Sequence, residues 1–266
     1  MTVGQIVVGV DGSLAAAAAA AWATFHSGIT GRKVLLAHAK GARSVHNDQE
    51  QDGFNGVDSI LAGLTASGLA AGVQIAATET DDDPASGLLR WSAAADIVAV
   101  GNPAKTPPRL LGRLSDHLAA TALCPVALIR HSYRPPDAAG GPVLVGMADG
   151  PAARLALRFA AAEADLMNTA VVIVRADEEP RESNPKAARI LAGINAHFPR
   201  LSITNLASPR DPAEMLVELA ASAQLVVVGA HHSSDPWSIR LGPVTETVLR
   251  QVPCPVISVG RWHHAR

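Results

Sequence analysis

Residues 5–22 read QIVVGVDGSLAAAAAAAW, in which a short run rich in valine passes through Asp-Gly-Ser into a run of alanines. Val and Ile favour strands, whereas Ala has the highest intrinsic helix propensity. The stretch predicts a buried strand, a tight turn and a helix that packs closely on the sheet. Ser13 is predicted to cap the amino end of that helix.

The same pattern returns at residues 142–159 as PVLVGMADGPAARLALRF. Further pairs follow in the same order: DPASGLL (83–89) with DPAEMLV (211–217), AADIVAVGN (94–102) with SAQLVVVGA (222–230), and LGRLSDHLAATALCPVALIR (111–130) with LGPVTETVLRQVPCPVISVG (241–260). Self-similarity of this kind is the mark of a duplicated unit. We therefore predict two domains, at residues 1–134 and 141–262, with a Pro/Gly-rich linker between them.

Each half alternates short apolar runs with longer helical patterns. The predicted strands are 6–10, 34–39, 73–77, 97–100 and 126–129 in the first half and 143–147, 170–174, 201–204, 225–228 and 256–259 in the second. Continuous apolar strands separated by helices are typical of a parallel sheet covered on both faces. Asp83-Pro84 and Asp211-Pro212 supply helix starts, with a capping carboxylate before proline. The predicted fold is α/β, with a doubly wound five-stranded parallel sheet in each half.

The composition of the chain argues against several kinds of partner and of site. Lys plus Arg number 22 against 24 Asp plus Glu, and a net charge of −2 gives no basic footprint for nucleic acid or an anionic membrane. We find no apolar run of about 20 residues and no secretory leader, and we expect a cytoplasmic protein. Two cysteines are too few for a disulfide scaffold or a cysteine-rich metal site.

An ordered set of short motifs resembles the universal stress protein family. The matching residues are Gly9-Val10-Asp11-Gly12-Ser13, Gly101 and Cys124-Pro125-Val126 in the first half, with Gly229 and Cys254-Pro255-Val256 in the second. The resemblance covers nearly the whole chain twice. It implies a Rossmann-like fold of the adenine-nucleotide alpha hydrolase type, and two domains docked as a pseudo-dimer. It also implies that Val126 to Ile129 pair with Val256 to Val259 within one molecule, and it leaves a further homodimer open.

Members of that family that bind ATP carry a phosphate loop of pattern G-x-x-G-x9-G-[ST] after the fourth strand. Glycines allow close backbone approach to phosphates, and the last Gly-Ser opens a helix whose free N–H groups attract negative charge. In the first half Ala104 replaces the second glycine, the spacer to Gly112 is two residues short, and Arg113 replaces the Ser or Thr. Asp11, which the family uses near the ribose and adenine, is intact. The basic side chains of this loop could bind phosphates, or they could simply be exposed to solvent.

The second half keeps the loop's length but changes its chemistry. Gly242 follows Gly229 at the expected spacing, yet His232 replaces the inner glycine and Pro243 removes an N–H donor. Ala148 stands at the aspartate position. His232 could offer a cation to a phosphate, or it could be a neutral loop histidine. Thr245 supplies a hydroxyl one helical position further in, as Ser115 does in the first half.

The sequence thus favours a non-catalytic stress-response module with weak ATP or other adenine-nucleotide binding, better supported in the first half because Asp11 survives. The alternative is a nucleotide-free interaction scaffold, and a slow ATPase is a third interpretation that lacks a general base and an intact phosphate loop. We predict no catalytic residue. We also predict no metal site, because no carboxylate–histidine set at helical spacing accompanies the adjacent pairs His231-His232 and His263-His264. The candidate nucleotide-binding residues are Asp11, Gly101, Gly112, Arg113, Ser115, Gly229, His232, Gly242 and Thr245.

Overall fold

The computed structural model describes residues 4–39, 56–102, 113–136, 140–148, 150–176, 185–230 and 242–260. The chain forms two compact units that divide between Pro135 and Pro136. The first unit contains β1 (Gln5–Val10), α1 (Leu14–Thr30), β2 (Lys33–Ala39), α2 (Gly56–Ala66), β3 (Ile75–Thr80), α3 (Pro84–Ser92), β4 (Ile97–Asn102), α4 (Arg113–Thr121) and β5 (Val126–Arg130).

The second unit repeats this order of elements. It contains β6 (Val143–Gly146), α5 (Pro151–Leu166), β7 (Val171–Ala176), α6 (Pro185–His197), β8 (Ile203–Ser208), α7 (Pro212–Leu219), β9 (Leu225–Gly229), α8 (Pro243–Gln251) and β10 (Val256–Val259).

The strands of each unit pair in parallel. Their order is β3-β2-β1-β4-β5 in the first unit and β8-β7-β6-β9-β10 in the second. The predicted fold class, a doubly wound α/β sheet in each half, is confirmed. In both units the strand order reverses beside the first strand, between β1 and β4 or between β6 and β9. Ligands of open α/β sheets bind at the carboxyl ends of the strands at such a point.

Helices pack on opposite faces of the first sheet. A Cβ added at Gly9 would lie 2.8 Å from Leu88 Cδ1 of α3 and 3.3 Å from Val100 Cγ1, so these positions share one face. Gly101, the next residue of β4, faces Ala15 of α1 on the other side. Both faces of the strands are therefore covered, which explains why their residues form continuous apolar runs rather than alternating ones.

The predicted helix starts are confirmed. Ser13 Oγ accepts a hydrogen bond from the N–H of Ala16 at 3.1 Å, and Oδ1 of Asp211 accepts one from Ala213 at 2.7 Å. Asp83 Oδ1 accepts from the N–H groups of Ala85 and Ser86, both at 3.1 Å. The hydrogen bonds from Ser86 lower the pKa of the Asp83 carboxyl from its usual value. Capping bonds of this kind satisfy amides that have no partner within the helix.

The outermost strands β3 and β8 differ from the sequence prediction, which placed them two residues too early and ended them too soon. The N–H of Val73 bonds to Ala70 O and that of Leu201 bonds to Phe198 O, so both predicted starting residues belong to turns. The true strands run on into residues that are half-buried or exposed. Because an outer strand is partly exposed, its residues need not all be apolar. A run of apolar residues is therefore a poor guide to where such a strand begins and ends.

Candidate functional site

The candidate site of the first unit lies where β1 and β4 end and α1 begins. Asp11 follows the last residue of β1 and is exposed. Its Oδ1 accepts a hydrogen bond from the N–H of Ser13 at 3.0 Å, while Ser13 caps α1. Gly12 between them has a φ of 82°, a conformation that favours glycine. One carboxylate oxygen of Asp11 thus holds the turn, and within the described part of the chain the other is available to accept hydrogen bonds from a ligand.

Gly101 and Gly229 occupy matching positions near the ends of β4 and β9. A Cβ added at Gly101 would lie 2.5 Å from the carbonyl oxygen of Ala15 in the first turn of α1. A Cβ added at Gly229 would lie 3.0 Å from the carbonyl carbon of Ala152, in the first turn of α5. The strand end and the helix start therefore approach closely in each unit. At Gly101 this packing requires a glycine whether or not a phosphate binds there, and at Gly229 it favours one.

Thr245 and Ser115 lie in the first turns of α8 and α4, and each is 4% exposed. Thr245 Oγ1 donates a hydrogen bond to the carbonyl oxygen of Gly229 at 3.2 Å. This bond ties the start of α8 to the end of β9. The structure thus gives the hydroxyl of Thr245 a structural partner, in addition to the ligand role that the sequence predicts.

Gly242 is the residue before α8, and Pro243 is the first helical residue. Among the described residues no side chain caps the amino end of α8, and the carbonyl of Gly242 accepts the N–H of Glu246 at 2.9 Å. Gly229, Gly242 and Thr245 therefore meet at one end of the second sheet. Proline at the first position leaves the helix start with one fewer amide than a phosphate site would have.

Three predicted residues have no described side-chain environment. Gly112 and His232 lie outside the described residues. Arg113 is the first residue of α4, and its side chain is likewise outside the described part. Their assignment to nucleotide binding stays a prediction.

His38, near the end of β2, is a polar residue at this edge that the sequence analysis missed. It pairs in register with Val10, the last residue of β1, and its Nδ1 lies 2.9 Å from the carbonyl oxygen of Val10. His38 is half-buried and lies one strand away from the turn that carries Asp11. A histidine near the end of an otherwise apolar strand was the signal that could have found it.

The corresponding edge of the second unit has different chemistry. Ala148 stands at the position of Asp11 and is exposed, so this edge lacks the carboxylate. The register of β6 with β7 places Arg175 at the position of His38, and Arg175 is 5% exposed. The second unit has therefore exchanged an acid and an imidazole for a methyl group and a buried guanidinium. The two edges are not suited to the same ligand.

The described part of the chain shows neither a reactive Cys124 thiol nor a cluster of metal ligands. Burial raises the pKa of Cys124 to about 12, so this thiol stays protonated at neutral pH and is a poor nucleophile. Among the described residues, no three His, Cys, Asp or Glu side chains are grouped in a way that could hold a metal ion. None of the described helices is long and apolar enough to cross a membrane.

Comparison with known proteins finds one family whose pattern occurs twice in the chain. The model of the universal stress protein family matches residues 2–130 and again 141–260. Universal stress protein Rv2623 of Mycobacterium tuberculosis is 30% identical over 95% of this chain and 95% of its own length. The crystal structure of a universal stress protein from Archaeoglobus fulgidus superposes with a TM-score of 0.75 at 15% identity, covering 98% of this chain and 100% of that one.

Proposed function

The chain belongs to the universal stress protein family, and from that premise we propose that it is a stress-response module whose first unit binds an adenine nucleotide weakly. The proposed site lies at the carboxyl ends of β1 and β4, beside the start of α1. ATP is the ligand we propose to test first.

The position of Asp11 carries this proposal. Its carboxylate is exposed at the point where the strand order reverses, and its turn is held by bonds through Ser13. Hydroxyl and amine groups of a nucleoside are hydrogen-bond donors that a carboxylate accepts well. Ala148 offers no such group in the second unit, and this supports assigning the stronger binding to the first unit. The altered phosphate loop supports weak rather than tight binding.

We further propose that the protein acts by binding and not by catalysis. ATP hydrolysis needs a group that positions or deprotonates water and a cradle for the developing charge on the phosphate. The sequence replaces the loop's inner glycine by Ala104 and by His232, and its final Ser or Thr by Arg113 and by Pro243. Phosphate release from ATP by the purified protein, abolished by a substitution in the loop, would contradict this proposal.

Cys124 is a buried thiol outside any disulfide, which supports the proposal of a reducing, cytoplasmic location. We also propose that β5 and β10 pair with each other within one molecule. Each is the last strand of its own sheet and strongly apolar, and an unpaired strand of that kind promotes aggregation.

Amide hydrogen exchange tests the proposed strand pairing. The N–H groups of β5 and β10 that do not bond to β4 or β9 are expected to exchange as slowly as those of the central strands, because pairing would remove them from water. Fast exchange of these amides in the intact chain would contradict the pairing. The outer strands β3 and β8 provide the comparison, since they lie at the other end of each sheet.

Asp11 substitutions test the nucleotide site. ATP at about five times its Kd should stabilise the wild-type first unit by about 1 kcal/mol, a rise of a few degrees in the melting temperature. Asp11→Ala should abolish this rise, because losing hydrogen bonds to a charged group costs about 1.5–3 kcal/mol of binding free energy. Asp11→Asn keeps an oxygen for the N–H of Ser13 but replaces the other with a donor. It should therefore abolish the ATP effect with little change in the ligand-free melting temperature.

Asp165→Ala is the matched control, since Asp165 is an exposed aspartate of the second unit. It should leave the effect of ATP unchanged. A wild-type protein whose melting temperature does not respond to millimolar ATP would contradict nucleotide binding and favour the interaction scaffold. An ATP effect that survives both Asp11 substitutions would place the site elsewhere.

A further inference from the structure

His38 lies beside the carboxyl end of β1, where the proposed ligand would bind. The parallel register of β1 and β2 places it next to Val10, and Asp11 follows Val10 directly. Neighbouring strands are about 4.8 Å apart, so the residues that end them share one small edge. The sheet thus places a histidine and an aspartate at one edge from positions that are far apart in the sequence.

The bond to Val10 determines which hydrogen-bonding role each nitrogen of His38 has. A carbonyl oxygen can only accept a hydrogen bond, so the Nδ1 of His38, 2.9 Å from Val10 O, carries a proton and donates it. In a neutral imidazole the other nitrogen, Nε2, is then an acceptor. The backbone of β1 therefore selects the tautomer that presents an acceptor at Nε2.

Within the described part of the chain, Nδ1 to Val10 is the hydrogen bond that the His38 ring makes. His38 as a residue is half-buried, the bond through Nδ1 fixes the orientation of its ring, and its Nε2 is not among the fully buried, unpartnered nitrogens of the described residues. Asp11 and His38 both present acceptors at the same edge. A ligand group rich in donors is the chemical complement of such a pair.

We propose that His38 is a second residue that recognises the nucleotide, an inference that rests on the proposed function. Its Nε2 accepts a hydrogen bond from an N–H or O–H donor of the nucleoside part. A nucleoside supplies such donors as ribose hydroxyls and the exocyclic amine of adenine. Phosphate oxygens are acceptors at neutral pH and would not bond to this nitrogen. The strand order agrees, because β2 lies on the far side of β1 from β4 and from the loop that would meet the phosphates.

The second unit gives an internal comparison. Arg175 replaces the imidazole and Ala148 replaces the carboxylate, so both acceptors are lost together. A guanidinium carries only donors. One unit keeps both groups and the other has lost both, as expected if the two groups serve one ligand.

Two amide substitutions separate ligand recognition from support of the fold. His38→Asn places an amide N–H where Nδ1 stands, so it can keep the bond to Val10 while removing Nε2. His38→Gln places its amide oxygen near the Nε2 position but loses the bond to Val10. We expect His38→Asn to weaken the binding of adenosine and of ATP by the same factor, about tenfold, at an unchanged ligand-free melting temperature. His38→Gln should melt earlier yet keep more of the affinity.

Titration calorimetry of the full-length variants with adenosine and with ATP measures these affinities. His197→Asn, at an exposed histidine of the second unit, is the control and should bind as the wild type does. Wild-type affinity in His38→Asn would show that the histidine only supports the strand, and would overturn the inference. A loss confined to ATP would also overturn it, because the contact would then involve the phosphates.

Asp11→Asn, titrated in parallel, distinguishes this inference from the proposed function. If Asp11→Asn loses binding and His38→Asn does not, the nucleotide site stands and the role of His38 is wrong. If the wild type binds neither adenosine nor ATP, the proposed function is wrong and the inference is wrong with it.

Discussion

Gly101→Ala is expected to lower the free energy of unfolding of the first unit by about 3 kcal/mol. The added methyl group would lie 2.5 Å from the carbonyl oxygen of Ala15 and closer still to its carbonyl carbon. Both atoms belong to the backbone of α1, so no side chain can rotate away. Forcing extra atoms into a packed interior costs about 1–3 kcal/mol, and a clash with backbone belongs at the upper end of that range.

Gly229→Ala is the matched variant in the second unit. Its methyl group would lie 3.0 Å from the carbonyl carbon of Ala152, where a shift of a few tenths of an ångström relieves the contact. We expect a cost of about 1 kcal/mol, at the lower end of the same range. Urea unfolding followed by amide hydrogen exchange in each unit measures both costs. Equal costs, or a larger cost for Gly229→Ala, would show that the close approach of α1 does not determine the residue at position 101.

Trp22→Ala is expected to have the other large effect, a loss of about 3–5 kcal/mol in the stability of the first unit. Trp22 is 3% exposed on α1, and its ring stacks on that of His26 with centroids 4.9 Å apart. Few aromatic residues are available elsewhere, at 3% of the chain, so α1 depends on this ring to fill volume that its alanines leave. Removing it creates a cavity and takes away the ring that stacks on the buried imidazole of His26.

Trp22→Phe is the control for this prediction. The second unit carries Phe159 at the corresponding position, also buried, so a phenyl ring is compatible with this packing in the duplicated fold. We expect Trp22→Phe to cost less than half as much as Trp22→Ala. Chemical unfolding of the intact chain, read through hydrogen exchange of α1 and of β1, measures the difference. A loss below about 1 kcal/mol in Trp22→Ala would show that the site can collapse around the deletion.

The residues of the family motif that remain in this chain also have structural roles. Gly101 and Gly229 are the first glycines of the predicted phosphate loops, and the structure gives each a packing reason. Thr245 offers a hydroxyl further into the helix than the motif's final position, which Pro243 occupies, and its Oγ1 bonds to Gly229 O. A loop that keeps these residues can therefore serve the fold alone. Evidence for a ligand has to come from groups such as Asp11 that the fold leaves exposed.

Much of the fold could be predicted because the duplication repeats its signals. The apolar runs that form β1, β4 and β5 are buried on both faces, so hydrophobicity alone marks them. The starts of α1, α3 and α7 were predictable from the capping residues Ser13, Asp83 and Asp211, because capping is a local interaction. The ends of β3 and β8 were predicted wrongly because half-exposed strands carry a weaker apolar pattern.

The candidate site was only partly predictable. Asp11 and the loop residues were found because they occupy fixed places in a motif. His38 was missed because its importance depends on the register between β1 and β2, which no local pattern states. The asymmetry between the two units at this edge also depends on knowing that Arg175 occupies the place of His38.

By itself, the amino-acid sequence determined the duplicated α/β architecture, the helix starts and the position of Asp11, because periodic burial and helix capping act between residues close together in the chain. Only the tertiary structure decided why residues 101 and 229 are glycines, which bond the hydroxyl of Thr245 makes, and that His38 stands beside the turn of Asp11. Those facts arise from contacts between distant segments, and such contacts exist only once the strands have paired in one register and the helices have packed against them.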